Sequence, residues 1–298
     1  MRSTRTKRIL THNSDVPAAN KIITFDVPGF ESISQIFLTF RTGANAPAAM
    51  TDILNSIQNI RMTINAVTVL DISAVELVKV YQMLGVQVFQ SISSVLPLNI
   101  VQLLYKLASI EDAFAIGTDA FREGRAGATA RIGNIQVQVT CKGTVTGINN
   151  IICSSERFDV GPGLNITRGY CKLITYPQGI KVPGTSVVDK LPQNADEGYL
   201  FCAAMYDDGH TVSGECIANS QAIIQKSPRE LLNQVLDCRS FGEVTGVLAY
   251  MFTDGQPQSM LSMRGITDFR ISTEFSTAPT SGFYDMVVAT MRSTGLEA

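Results

Sequence analysis

The sequence predicts an all-β chain made of two tandem β-sandwiches, each flanked by one short helix. Three observations predict it. Apolar and polar residues alternate with period two in segment after segment from Lys21 to Met291. A capping-box pattern occurs once in each half, Ser73-Ala74-Val75-Glu76 and Ser227-Pro228-Arg229-Glu230, the second with proline at the first helical position. In such a box the serine hydroxyl accepts the backbone N–H three residues on, and the glutamate reaches back to the serine N–H. Finally, 298 residues suffice for two domains with cores of their own, and a glycine-bearing stretch at 142–150 offers the break between them.

The elements follow in chain order. Residues 1–20 form an arm in which Arg2, Arg5, Lys7 and Arg8 stand among Ser, Thr and Asn, with Asp15 alone opposing them. Two readings of the arm stay open, a frayed terminus and a basic segment that touches an anionic surface. Ile23, Phe25 and Val27 separate by parity from Ile22, Thr24 and Asp26, which predicts a strand over 21–27. Ile36, Leu38 and Phe40 do the same for 33–40, and a small-residue loop occupies 42–49. Residues 52–57 are ambiguous, since Ile53, Leu54 and Ile57 fit a helical face. Ile60, Met62 and Ile64, then Val67 and Val69, predict a hairpin closing on Asn65-Ala66. Alanine is a poor second turn residue, because a type I′ turn needs positive φ there. The first capped helix spans 74–84 and Gly85 is placed to end it. Residues 86–128 mix apolar pieces with a short helical pattern after Ser109 and a glycine-rich stretch at 124–127; the alternation of Ile135, Val137 and Val139 within 132–141 then closes the first sandwich.

The second unit opens with a strand at 151–160. Strands at 166–176 and 198–206 flank a proline- and glycine-rich excursion. Asp207-Asp208-Gly209-His210 is a turn, 211–225 is extended, and the Ser227 helix carries Leu231, Leu232, Val235 and Leu236. Strands at 247–252, 260–275 and 283–291 complete the chain. The expected organisation is therefore a basic arm (1–20), a first sandwich (21–147) and a second sandwich (148–298).

Composition excludes several classes. Charged residues make up 17% and the net charge is −2, against a usual charged share of about a quarter. A globally basic nucleic-acid binder is excluded, and the low charge fits either surfaces buried against neighbours or thick sandwich cores. The six cysteines form no C-x-x-C pair; free, mostly buried thiols in a reducing cytoplasm are expected. The basic first residues are not followed by the apolar stretch of a secretion signal. The longest apolar candidate, 95–104, is interrupted by Pro97, Asn99 and Gln102, well short of the ~20 residues of a spanning helix.

No constellation for catalysis accompanies the strands. His12 and His210 are the only histidines, one in the arm and one in a turn, so a serine or cysteine nucleophile has no evident base. Zinc-type spacings and phosphate-binding glycine loops are missing; Gly161-Pro162-Gly163 leads into no helix, and the sequon at Asn165 lacks a secretory context. No cofactor is expected. Asp207 and Asp208 are weak candidates for a hard cation, with turn chemistry the plainer explanation. Met251, Met260, Met263, Met286 and Met291 are expected as core and interface filler.

Order and pattern together carry a resemblance. The basic arm leads into 21–27, the strand Ile33-Ser34-Gln35-Ile36-Phe37-Leu38-Thr39-Phe40, the run Ile60-Arg61-Met62-Thr63-Ile64-Asn65, then Val69-Leu70-Asp71-Ile72 and the Ser73 helix. This resembles the N-terminal jelly roll of double jelly-roll major capsid proteins of tailless, membrane-containing icosahedral bacteriophages of the corticovirus and finnlakevirus type. The likeness is clearest over 20–85 and architectural from there to the end; Asn65-Ala66 departs from the more usual Asn-Gly hairpin. The resemblance implies two tandem jelly-roll sandwiches in a structural coat protein. It further implies a homotrimer with pseudo-hexagonal outline that meets neighbouring capsomers and penton and minor capsid proteins. The arm residues Arg2, Arg5, Lys7 and Arg8 would lie beneath, facing an internal lipid membrane. Ser73, Glu76, Ser227 and Glu230 would be structural helix caps, and no specific nucleic-acid recognition is implied. The expected location is the virion, after synthesis in the host cytoplasm. The rival reading is a cell-surface or spike β-sandwich that binds carbohydrate or a receptor, which would call for a secretion signal or a tryptophan-lined groove; the chain has no tryptophan.

Overall fold

The computed structural model describes residues 7–28, 32–64, 66–85, 94–98, 134–158, 169–239, 241–253 and 259–293. The chain divides into two compact units. Unit 1 comprises Met1–Leu77, Gln87–Lys172 and Ser293–Ala298; unit 2 comprises Val78–Val86 and Leu173–Arg292.

The elements up to the middle of the chain are β1 (Lys7–Asp15), β2 (Ile22–Pro28), β3 (Ser32–Arg41), α1 (Met50–Ser56), β4 (Ile57–Ile64), β5 (Val67–Ser73), α2 (Ala74–Met83), β6 (Val95–Pro97), β7 (Asn134–Cys141) and β8 (Asn150–Phe158). In unit 1 one set of four strands runs β1-β8-β3-β6 and another β5-β4-β7-β2. The second set shows why alternation was so legible. In register across three antiparallel strands stand Ile23, Val139 and Ile60, then Phe25, Val137 and Met62, then Val27, Ile135 and Ile64. All nine side chains are buried, and such cross-strand apolar rows are the unit of sheet stabilisation. β3 and β8 bury Ile36, Leu38, Phe40, Ile151 and Cys153.

The hairpin β4–β5 pairs Ile64 with Val67, so its loop is the two residues 65–66. Ala66 takes φ 66°, the left-handed conformation that the sequence made doubtful for alanine. At the start of α2 the Ser73 N–H donates to Glu76 Oε2 at 2.9 Å and the Glu76 N–H donates to Ser73 Oγ at 3.2 Å. The ambiguous 52–57 segment is helical as α1.

Unit 2 is built from β9 (Gly169–Gly179, from Leu173 on), β10 (Gly184–Val188), β11 (Glu197–Met205), β12 (His210–Ala218), β13 (Gln221–Pro228), α3 (Arg229–Cys238), β14 (Val247–Met251), β15 (Leu261–Ser262), β16 (Phe269–Thr277) and β17 (Phe283–Ser293). One set of strands runs β10-β16-β12-β13; the other runs β14-β11-β17-β9, with β15 on β11. Aromatic pairs join the two faces. Tyr199 of β11 lies 4.9 Å from Phe269 of β16, centroid to centroid, and Tyr284 of β17 lies 5.2 Å from Phe275. The Tyr250 hydroxyl crosses from β14 to donate to Ser272 O at 2.9 Å. Gly214 of β12 makes room for it, since a Cβ there would stand 2.6 Å from that hydroxyl. The core of unit 2 is thus an aromatic-lined sandwich interior.

Five expectations need correction. The single strand over 260–275 is two, β15 on β11 and β16 on β12, with a turn between them. The break between units does not fall at 147/148: β8 pairs with β1 and β3 and belongs to unit 1. The glycine-rich composition of 142–150 marks a tight return inside unit 1. Gly147 has φ 71° and a Cβ there would collide with the Asp52 carboxylate. The extended stretch 211–225 is a hairpin, β12–β13, whose turn residues Asn219 and Ser220 have φ 47° and 64°. The excursion between β9 and β11 contains strand β10. The capping box at Ser227 and Glu230 is not formed: Pro228 is the N-cap, no side chain caps the helix, and the Ser227 hydroxyl donates to Gln225 O at 2.7 Å. Ser227 is held in β13, opposite Gly214, so the helix starts one turn position too late for its hydroxyl. The expectations on 99–133 and 159–168, including Gly161-Pro162-Gly163 and Asn165, lie outside the described residues.

Candidate functional site

The segment expected as a loose arm is in large part a strand. β1 begins at Lys7 and pairs antiparallel with β8 from Lys7 opposite Phe158 to Asp15 opposite Ile151. Its sequence hid this, because β1 is polar and basic and is held by backbone pairing more than by an apolar face. Lys7 and Arg8 are the first residues of the strand; Arg2 and Arg5 lie outside the described residues.

The register slips between Thr11 and Asn13, which makes His12 a bulged residue. Bulges re-aim a side chain, and this one sets the His12 ring against a buried polar chain. His12 Nε2 is 2.7 Å from Ser155 Oγ. Arg157, wholly buried, donates from Nε to Ser155 Oγ at 2.8 Å and from Nη2 to Pro28 O at 2.7 Å. Ser155 Oγ accepts from Arg157, and which of His12 Nε2 and Ser155 Oγ donates to the other depends on the imidazole tautomer. Burial first, and the Arg157 charge second, push the His12 pKa below its ordinary value. At the end of β1 the Lys21 ammonium donates to Asp15 Oδ1 at 2.8 Å; that hydrogen bond is the main reason the Asp15 carboxyl titrates below its usual range. His12, Ser155 and Arg157 escaped the sequence reading. One signal was present: Arg157 shares the inward parity of Ile151, Cys153 and Ser155.

The other candidates separate. Asp207 lies 3.4 Å from Lys79 Nζ, while Asp208 Oδ1 accepts the Thr280 N–H at 2.8 Å; a hydrogen bond from the Thr280 side chain first, and this backbone bond second, lower the Asp208 pKa. The two carboxylates therefore serve different partners. No group of three or more His, Cys, Asp or Glu able to hold a metal occurs among the described residues. His210 Nδ1 is 3.2 Å from Ser276 Oγ, at the mouth of the β12–β16 pairing. The six cysteines form no disulfide, and Cys141, Cys153, Cys202 and Cys216 are buried. Desolvation pushes the thiols of Cys153 and Cys216 up to about 12, which keeps them protonated and unreactive. No helix among the described residues is long and apolar enough to cross a membrane.

No family model and no curated protein matches the sequence. Solved structures do match. The major capsid protein P2 of bacteriophage PM2 superposes with a TM-score of 0.72 at 11% identity, covering 98% of this chain and 100% of that one. The fold is that of the double jelly-roll viral capsid proteins. The PBCV-1 virus capsid gives 0.63 at 8% identity over 98% of this chain and 95% of that one. The structure of Sulfolobus Turreted Icosahedral Virus gives 0.63 at 12% over 97% and 90%. The likeness thus takes in the strands of both units.

Proposed function

We propose that this chain is the major coat protein of an icosahedral virion, a structural building block and not an enzyme. The observation that carries the reading is coverage: the likeness to the PM2 capsid protein takes in essentially the whole of both chains. In this reading three chains form a trimer of six jelly rolls, and trimers meet one another and the penton and minor capsid proteins in the shell. Sheet edges support it, since among the described residues β13 and β14 each end a set of strands in unit 2 and open edges call for neighbours. Light scattering on the purified protein at micromolar concentration, followed by electron microscopy under assembly conditions, tests the proposal. A trimer that closes into shells is the expected result. A stable 32.3 kDa monomer with no assembly product overturns it, as does carbohydrate or receptor binding by that monomer.

The same proposal places the N-terminal end of β1 toward an internal membrane. Arg2, Arg5, Lys7 and Arg8 lie within seven residues; each basic group near an anionic bilayer contributes about 1 kcal/mol, decaying over roughly a Debye length. Three such ends per trimer act together. Trimers are expected to float with anionic liposomes at low salt and to release near molar salt. A version lacking residues 2–6, which leaves β1 whole, should float markedly less. Equal flotation of both versions removes the membrane assignment.

A further inference from the structure

Unit 2 holds a cleft of its own. It lies between α3 and the strands β13, β14 and β15, encloses about 470 Å3, and is lined chiefly by Ile223, Leu231, Leu232, Val235, Phe252 and Leu261. That volume falls in the range of about 300–1,000 Å3 typical of small-molecule sites, which are likewise mostly apolar with a few placed polar groups. Leu232 and Leu236 of α3 turn into the core, whereas Leu231, Val235 and Ile223 remain 48, 38 and 44% exposed. The cleft is therefore open along a stripe of large apolar side chains.

Its one charged lining group among the described residues is Arg239, at the C-terminal end of α3. Arg239 is oriented by the fold. Its Nη1 donates to Thr253 O at 2.9 Å and to Met251 O at 3.3 Å. Among the described residues Nε and Nη2 make no hydrogen bond, so the side-on edge of the guanidinium stays open. That edge presents two parallel N–H donors, the geometry that a planar two-oxygen anion satisfies. A flat apolar protein face laid over the cleft would bury this edge unpaired, at a desolvation cost. An acyl chain ending in a carboxylate meets both requirements at once.

We propose that this cleft binds the anion of a long-chain fatty acid, one per chain, with the tail along Leu231, Val235 and Ile223 and the carboxylate on the Nε/Nη2 edge of Arg239. The site is independent of the coat assignment, because it lies within one unit of one chain.

Calorimetry of the purified full-length protein with laurate, below the concentration at which laurate forms micelles, tests this, with dodecanol as the uncharged chain of equal length. Saturable one-to-one binding of laurate is expected, with dodecanol weaker by about tenfold or more, the value of a charge-assisted pair. Arg239→Gln should bring laurate down to the level of dodecanol. Val235→Trp, at the exposed mouth, should abolish binding of both while leaving the melting curve close to wild type. If Arg239→Gln fails to fold, the wild-type comparison of laurate with dodecanol still decides. No saturable binding, equal affinity for the two probes, or wild-type laurate binding by Val235→Trp overturns the proposal. So does a concentration-dependent self-association that Val235→Trp abolishes while wild type ignores laurate, since the cleft would then be covered by a second copy of the chain.

Discussion

The helices α2 and α3 begin in opposite ways from the same sequence pattern. At α2 the strand β5 ends on Ser73, so the serine stands at the boundary and its exchange of bonds with Glu76 is complete at 2.9 and 3.2 Å. At α3 the strand β13 runs on through Pro228, paired with β12 by Gly214 opposite Ser227 and Ser213 opposite Pro228. The ladder claims the backbone of Ser227, the helix starts one residue later, and the hydroxyl turns back to Gln225 O. A capping residue works only at the N-cap itself. The difference teaches that Ser-x-x-Glu states a local preference, and that strand pairing decides whether it is used.

The hairpins of the two units make the same point in reverse. The β12–β13 turn uses Asn219 and Ser220 at positive φ, and Asn is a residue that tolerates this conformation. The β4–β5 turn reaches a positive φ with Ala66, against its preference. There the register is imposed by the buried rows of β4 and β7, and a slip of one residue would turn Ile60, Met62 and Ile64 outward.

The largest effect that separates the two helix starts is expected at Glu76. Its side chain is buried and accepts the Ser73 N–H. Glu76→Ala should cost about 1–3 kcal/mol by leaving that donor unmet, read from the midpoint of urea unfolding. Ser73→Ala should cost about 1 kcal/mol. The double variant should cost less than the sum, because both changes break one reciprocal pair. Strict additivity would show that the two bonds do not act as a unit.

What the sequence made legible follows the same division between local and long-range causes. β2, β4 and β7 were plain because each buries one parity against a shared core. The helix α2 was plain because its box, apolar surface and following glycine agree. β1 was hidden, since Lys7, Arg8, Thr11 and Asn13 offer no apolar face and the strand depends on β8. The unit boundary was misplaced because Gly143 and Gly147 signal a turn, and nothing local says which sheet receives the strand after it. The β12–β13 turn was overlooked because Asn219-Ser220 lacks glycine. Of the chemistry, the His12–Ser155–Arg157 chain, buried at Ser155 and Arg157, joins residues from opposite ends of unit 1, and only the parity of Arg157 hinted at it.

A smaller effect, of opposite sign, is expected at the hairpin of unit 1. Ala66 sits at φ 66°, a conformation that costs a non-glycine residue about 1–2 kcal/mol. Ala66→Gly removes that strain and adds back chain entropy of roughly 0.5–1 kcal/mol in the unfolded state. The net gain should be about 0.5–1 kcal/mol, seen as a higher melting temperature. A loss of stability would mean that the turn is held by contacts of the Ala66 methyl group.

The smallest effect, and the sharpest for the comparison, is expected at Ser227. Its hydroxyl bonds Gln225 O at a partly exposed site, and it caps no helical N–H. Surface substitutions away from such features usually stay within about ±0.5 kcal/mol, so Ser227→Ala should leave the unfolding midpoint nearly unchanged while Ser73→Ala lowers it. Measured side by side in one denaturant series, the two variants share the substitution and differ only in where a strand ends. Equal losses would mean that Ser227 reaches a helical N–H in solution and that β13 frays before Pro228. A shift confined to Ser73 would locate the stabilising bond at the one boundary where the strand releases its last residue to the helix.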